Sequence, residues 1–243
     1  MSGVCESPRA VFVAATKTLA DNVVRALTGA DDVFRLTDQV PRDNPLAGLA
    51  AVRILGPDVL APFTVAGQVF TASDAEVVAT SIATFPDSGL DIGGDDSLVG
   101  ARRARDWATS QLLERLGVSE GVGAVLPPDA LGEDQGEWLP WTTTLARLSP
   151  LACVGLDSPL HQQARQRCLD IARGVTRSMM RQDLLTAARL TRWLVTSFTG
   201  PMADLPLQPE PVLGHVELLA DADPQLVLEI IMTRRGLGAV GGR

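Results

Sequence analysis

Cys153, Asp157, His161 and Cys168 place four chemically able side chains on one short stretch of the chain. Asp157-Ser158-Pro159 joins a capping residue to a first-turn proline, so a helix should start there. His161 then falls in its first turn, within reach of Asp157. An Asp157–His161 or Cys153–His161 pair would suit metal-independent acid–base or nucleophilic work, which makes Asp157, His161 and Cys153 the catalytic candidates. No third member of such a relay is recognisable. A zinc site does not follow either, because His161 and Cys168 stand about 10 Å apart along a helix axis. Cys168 lies on the apolar stripe, where a free thiol packs as a small hydrophobe.

Other polar groups have simpler readings. His215, with Glu210 and Glu217 nearby, has the makings of a general base but reads as a surface histidine in a loop-to-helix transition. The acidic turn Asp91-Ile-Gly-Gly-Asp95-Asp96 offers hard-cation ligands without EF-hand spacing, and Asp95 or Asp96 is accounted for as a helix cap. Asp31-Asp32 is a weaker case of the same kind. Gly117, Gly121 and Gly123 follow a helix rather than a strand, which fails the context of a dinucleotide loop. Neither a metal nor a cofactor is expected.

Two groups could form a binding surface. Trp138 and Trp141, three residues apart beside an acidic connection, would be a core corner if buried and a ligand anchor if exposed. Arg102, Arg103 and Arg105 form the densest positive cluster, either a solvated face paired to carboxylates or a seat for an anionic ligand or acidic partner.

The elements that must position these residues read as helices. Apolar residues recur every three or four positions from Pro8 to Gly29, from Ser97 to Gly117, from Pro159 to about residue 182, and from Leu184 to Phe198. A shorter helix spans Trp138 to Leu148, and a final pair lies near Val216–Leu219 and Gln225–Met232. Residues 1–7 read as a loose tail and Gly236 to Arg243 as a flexible end. Between residues 30 and 96 the pattern is weaker: helices near Leu46–Leu55 and Ala75–Phe85, the latter capped by Ser73 or Asp74, compete with a minor strand pair among the β-branched residues of 50–85.

The fold class is therefore all-α, a multi-helix bundle or an array of α/α hairpins. It comprises an N-terminal region 1–120 and a C-terminal region 137–243, joined within one domain by the Gly/Pro-rich connection 117–136. A weak echo, Ala101-Arg102-Arg103 before Trp107 and Ala187-Ala188-Arg189 before Trp193, admits an internal duplication.

Composition excludes more than it assigns. Net charge is −8, which disfavours nucleic acid and anionic membranes as partners. Twenty arginines against the single Lys17, with no tyrosine, reflect a high-GC coding sequence rather than a function. Three cysteines without a C-x-x-C fit a reducing compartment. The start of the chain lacks a basic leader, and no uninterrupted apolar run reaches the roughly 18 residues of a membrane span. A cytoplasmic location is expected, with a homo-oligomer open. The leading functional expectation is a non-catalytic helical protein that binds a protein partner or a small apolar ligand. The alternative is a small-molecule biosynthetic enzyme working by acid–base chemistry at Asp157 and His161.

Overall fold

Helix starts are encoded in the residues that can satisfy orphan backbone N–H groups. The computed structural model describes residues 7–30, 33–86, 96–118, 126–129, 131, 137–220 and 223–241. Ser7 Oγ accepts from Ala10 N–H and opens α1 (Pro8–Thr28). Asn44 Oδ1 accepts from Ala47 N–H and opens α2 (Pro45–Leu55), which runs through a 3-10 turn, Gly56–Leu60, into the short α3 (Ala61–Thr64). Helix α4 (Ala72–Thr84) begins on Thr71, not on Ser73 or Asp74. Asp74 is instead the acidic half of a capping box. Its fully buried carboxylate accepts from Thr71 N–H and Oγ1–H and from Leu36 N–H, tying the 3-10 turn Leu36–Gln39 to α4.

No strand occurs among the described residues, so the fold is all-α. The β-branched residues of the suspected strand pair separate for a local reason. Val77, Val78 and Ile82 lie at helical spacing behind the Thr71–Asp74 box, while Val65 and Val69 fall beyond the end of α3.

The chain divides into two compact units, one of Met1–Leu90 with Thr109–Gly123 and the other of Asp91–Ala108 with Ala124–Arg243. Helix α5 (Asp96–Arg115) contributes residues to both units. Most of that connection, together with residues 1–6, Asp31-Asp32 and the acidic turn through Asp95, lies outside the described residues.

In the first unit Leu19, Ala20, Val23 and Leu27 of α1 pack on Ala47, Ala51, Val52 and Leu55 of α2. Phe34, Phe63 and Phe70 close one end, with centroid separations of 5.7 and 4.9 Å. Pro45–Thr64 is apolar and long enough to cross a membrane by composition, but most of it is buried in this core.

The second unit is built around α9 (Leu184–Ser197), against which α8 (Cys168–Met180), α11 (Pro224–Gly241), α10 (Pro209–Leu219), α6 (Trp138–Arg147) and α7 (Pro159–Gln166) all pack. Three expectations change here. The continuous stripe from Pro159 is two helices, interrupted at Arg167, whose guanidinium stacks 4.3 Å from the Trp141 ring centre and pairs with Asp170 at 3.0 Å. Helix α10 begins at Pro209, since prolines in a first turn sacrifice no intrahelical bond. The C-terminal end is helical through Gly241 because α11 packs along α9.

Two glycines permit close approaches. A Cβ on Gly48 would stand 2.8 Å from Val40 Cα, and one on Gly174 would stand 2.8 Å from Leu190 Cδ1 and 3.1 Å from Thr142 Cβ. Backbone yields less readily than a side-chain tip. Gly48→Ala is therefore expected to lower stability by about 1–3 kcal/mol in urea denaturation, and Gly174→Ala by less. Equal stability of Gly48→Ala and the parent would contradict the packing at Val40.

Candidate functional site

An α9 buried on nearly every side must satisfy any charge it carries internally. Arg192 is 0% exposed. Its Nη1 donates to Glu229 Oε2 of α11 at 3.1 Å, its Nε to the carbonyl of Ala152 at 3.0 Å, and its Nη2 to Cys153 Sγ at 3.3 Å. Glu229 Oε1 accepts from Ser149 Oγ–H at 2.6 Å and from Arg189 Nε at 3.3 Å. Neither Arg192 nor Glu229 stands out by motif. The available signal is context: Arg192 is the lone charge within Leu190 to Val195, and Glu229 the lone charge in Leu226 to Met232, two otherwise largely apolar segments.

His161 is buried, as are Ser158 and Leu151 beside it. Its Nδ1 lies 2.7 Å from Ser158 Oγ and its Nε2 3.0 Å from the Leu151 carbonyl. Leu151 can only accept, so Nε2 carries the proton and Nδ1 accepts from the Ser158 hydroxyl. Burial pushes the imidazole pKa down, in keeping with this neutral form. Trp107 and Trp193 flank the ring, with centroids 6.2 and 5.2 Å away. The two tryptophans of the sequence echo thus meet at one histidine.

The expected pairs do not assemble. Asp157 faces solvent and receives Arg165 Nη2 at 2.7 Å, a hydrogen bond that holds its carboxyl below the usual range. His161 takes Ser158 in its place. Cys153 is half-buried, donates to the Pro150 carbonyl at 3.2 Å and accepts from Arg192. Cys168 is half-buried as well, its thiol pKa raised by burial, with the S–H directed at the Ala164 and Arg165 carbonyls. His215 lies exposed within α10, while Arg234 holds Glu217 through two contacts of 3.1 and 2.9 Å. No group of three or more metal-ligating side chains occurs among the described residues.

The binding candidates also part company. Trp141 is buried, and its indole N–H donates to Gln163 Oε1 at 2.9 Å. Gln163 in turn exchanges bonds of 3.0 and 2.8 Å with the backbone of Leu131. Arg102 and Arg103 are exposed on α5, whereas half-buried Arg105 donates to the carbonyl of Arg147 at the end of α6, at 2.9 Å.

Trp138 is half-buried in a groove of about 650 Å³ with Leu169, Ala172, Thr176, Met180 and Pro206. Leu169 and Met180 are 56% and 82% exposed there, and Arg173, Arg177 and Arg181 stand at the rim. Arg177 and Arg181 also border a second cavity of about 560 Å³ among α6, α8 and α9. Helix α8 thus carries an apolar groove and a polar cleft side by side. No protein-family model, curated protein or solved structure matches this chain.

Two measurements test the buried interactions. Arg192→Met should cost about 3–5 kcal/mol by leaving the buried Glu229 only the half-buried Arg189 as ion partner, and Arg192→Met/Glu229→Met should recover part of that loss. A single variant within about 1 kcal/mol of the parent would mean that the pair is not buried as described. For His161 the folded pKa lies below the unfolded value of 6.5, so the unfolded chain gains the proton first as pH falls. Its contribution is complete above pH 6.5 and declines below, with a slope of at most about 1.4 kcal/mol per pH unit. Asp157 enters the slope only near the ordinary aspartate value of 3.8. Equilibrium unfolding between pH 7 and 5 should therefore be flatter for His161→Gln than for the parent. An unchanged profile would exclude His161 as the group that titrates.

Proposed function

We propose that this protein binds a small, largely apolar ligand without transforming it, in the groove beside Trp138. The observation that carries this reading is the exposure of Leu169 and Met180 in a concave site next to a half-buried tryptophan. Large apolar side chains scattered singly over a surface carry little meaning, but grouped in a concavity they mark a binding site. The groove's volume of about 650 Å³ falls in the range of small-molecule pockets.

The non-catalytic half of the reading draws on how the reactive groups are used. Asp157 is engaged by Arg165, Cys153 by Arg192 and Pro150, and His161 by Ser158 and Leu151. One contact favours the alternative, acid–base chemistry: Ser158 Oγ stands 2.7 Å from His161 Nδ1, as a nucleophile stands to its base. Both groups are closed from solvent by burial, however, and the second ring nitrogen is spent on a backbone carbonyl.

Binding of Nile red, a neutral apolar dye, tests the groove directly. The parent protein should bind the dye with enhanced emission. Leu169→Ser/Met180→Ser should bind it at least about tenfold more weakly, since two side chains would lose apolar contact while the fold, which leaves both exposed, persists. Equal dye affinity in parent and variant, or no binding to the parent, would dismiss the groove as the ligand site.

A further inference from the structure

We infer that the cleft among α6, α8 and α9 is a binding site for a phosphate-type oxyanion. Arg147, Arg177, Arg181 and Arg189 all line it, together with Ser178 and Thr186. In a chain with 29 acidic and 21 basic residues, an average cleft would carry the opposite balance. Here four arginines line the cleft with one acidic residue, Asp183, whose carboxylate accepts the N–H of Thr186 as the cap of α9.

Partners distinguish these arginines from most others in this unit. Arg165, Arg167, Arg173, Arg192 and Arg234 each reach a carboxylate within 3.1 Å. Arg189 spends its Nε on Glu229. Arg147, Arg177 and Arg181 have no side-chain partner among the described residues. Three like charges around one cavity of about 560 Å³ repel each other unless an anion joins them. Guanidinium groups present planar pairs of donors that match phosphate oxygens. The Ser178 and Thr186 hydroxyls, likewise without a side-chain partner among the described residues, add two neutral donors to the same wall.

The fold holds this arrangement in place. Gly174 lets α8 approach Leu190 and Thr142 closely, and Arg105 fixes the end of α6 through the Arg147 carbonyl. Because Arg177 and Arg181 border both cavities, the cleft and the Trp138 groove can serve one molecule. The ligand class is then an amphiphile with a phosphate ester at one end and an apolar body at the other. This second step rests on the groove reading given under Proposed function, whereas the oxyanion site does not.

Calorimetry on the full chain at constant ionic strength separates the two steps. Inorganic phosphate alone should bind in the millimolar range or tighter, and Arg147→Gln/Arg181→Gln should weaken it at least tenfold. Both side chains are exposed, so the variant should keep the circular dichroism and melting temperature of the parent. Absence of phosphate binding to the parent, or equal binding by the variant, would overturn the oxyanion site. Decyl phosphate should bind at least tenfold more tightly than inorganic phosphate, with the gain removed by Leu169→Ser/Met180→Ser. If phosphate binds through the arginines but the decyl chain adds nothing, the site takes a free phosphate and the amphiphile is overturned. Decanol bound through Leu169 and Met180 while phosphate fails would leave the groove standing and remove the cleft.

Discussion

A guanidinium with no access to water lies at the middle of α9, and much of the second unit is arranged around that fact. An isolated buried charge is costly, so each donor of Arg192 needs an acceptor brought from elsewhere in the chain. Glu229 arrives on α11, and the Ala152 carbonyl and Cys153 sulfur arrive on the segment after α6. Ser149 completes Glu229 from the same segment. The Leu151 carbonyl of this segment receives His161. Residues 149–153 are thus held by both a buried ion pair and a buried imidazole.

This arrangement explains why Cys153, Asp157 and His161 take other partners instead of pairing with one another. Cys153 and His161 satisfy the polar needs of a segment that folds into the interior, and Asp157 steadies the start of α7 through Arg165. Buried polar groups of this kind stabilise only as a complete set, because each unpaired member would cost more than its bond contributes. The same residue types that suggest acid–base chemistry in a sequence are those that can close such a set.

Arginine serves three ends in this unit. Arg192 is a buried cross-link. Arg165, Arg167, Arg173 and Arg234 form ion pairs nearer the surface, where screening leaves each contributing little to stability. Arg147, Arg177 and Arg181 line the cleft without a side-chain partner among the described residues. Composition treats all of them as one residue type, and only their surroundings separate buried cross-link, surface ion pair and cleft lining. In an acidic chain, a local cationic wall also draws small anions against the sign of the whole.

The all-α class and most helix starts were legible because capping, first-turn proline and apolar spacing act over a few residues. Pro8, Asn44-Pro45, Asp157-Ser158-Pro159 and Asp183 all mark helix openings in this way. Trp138 and Trp141 were legible as a pair worth attention, yet one fills the core while the other lines a groove. Three residues is nearly one helical turn, so both sit on one side of α6, and which of them is covered depends on Gln163 and Arg167 arriving from elsewhere. The break between α7 and α8 was hidden because Arg167 leaves the helix for a stack on Trp141, a contact distant in sequence. Arg192, Glu229 and the unpartnered arginines of the cleft come from separate helices, and their roles are set by distances that periodicity does not encode. Local rules determined where this chain turns helical; tertiary packing decided which of its charges became buried structure and which line the cleft.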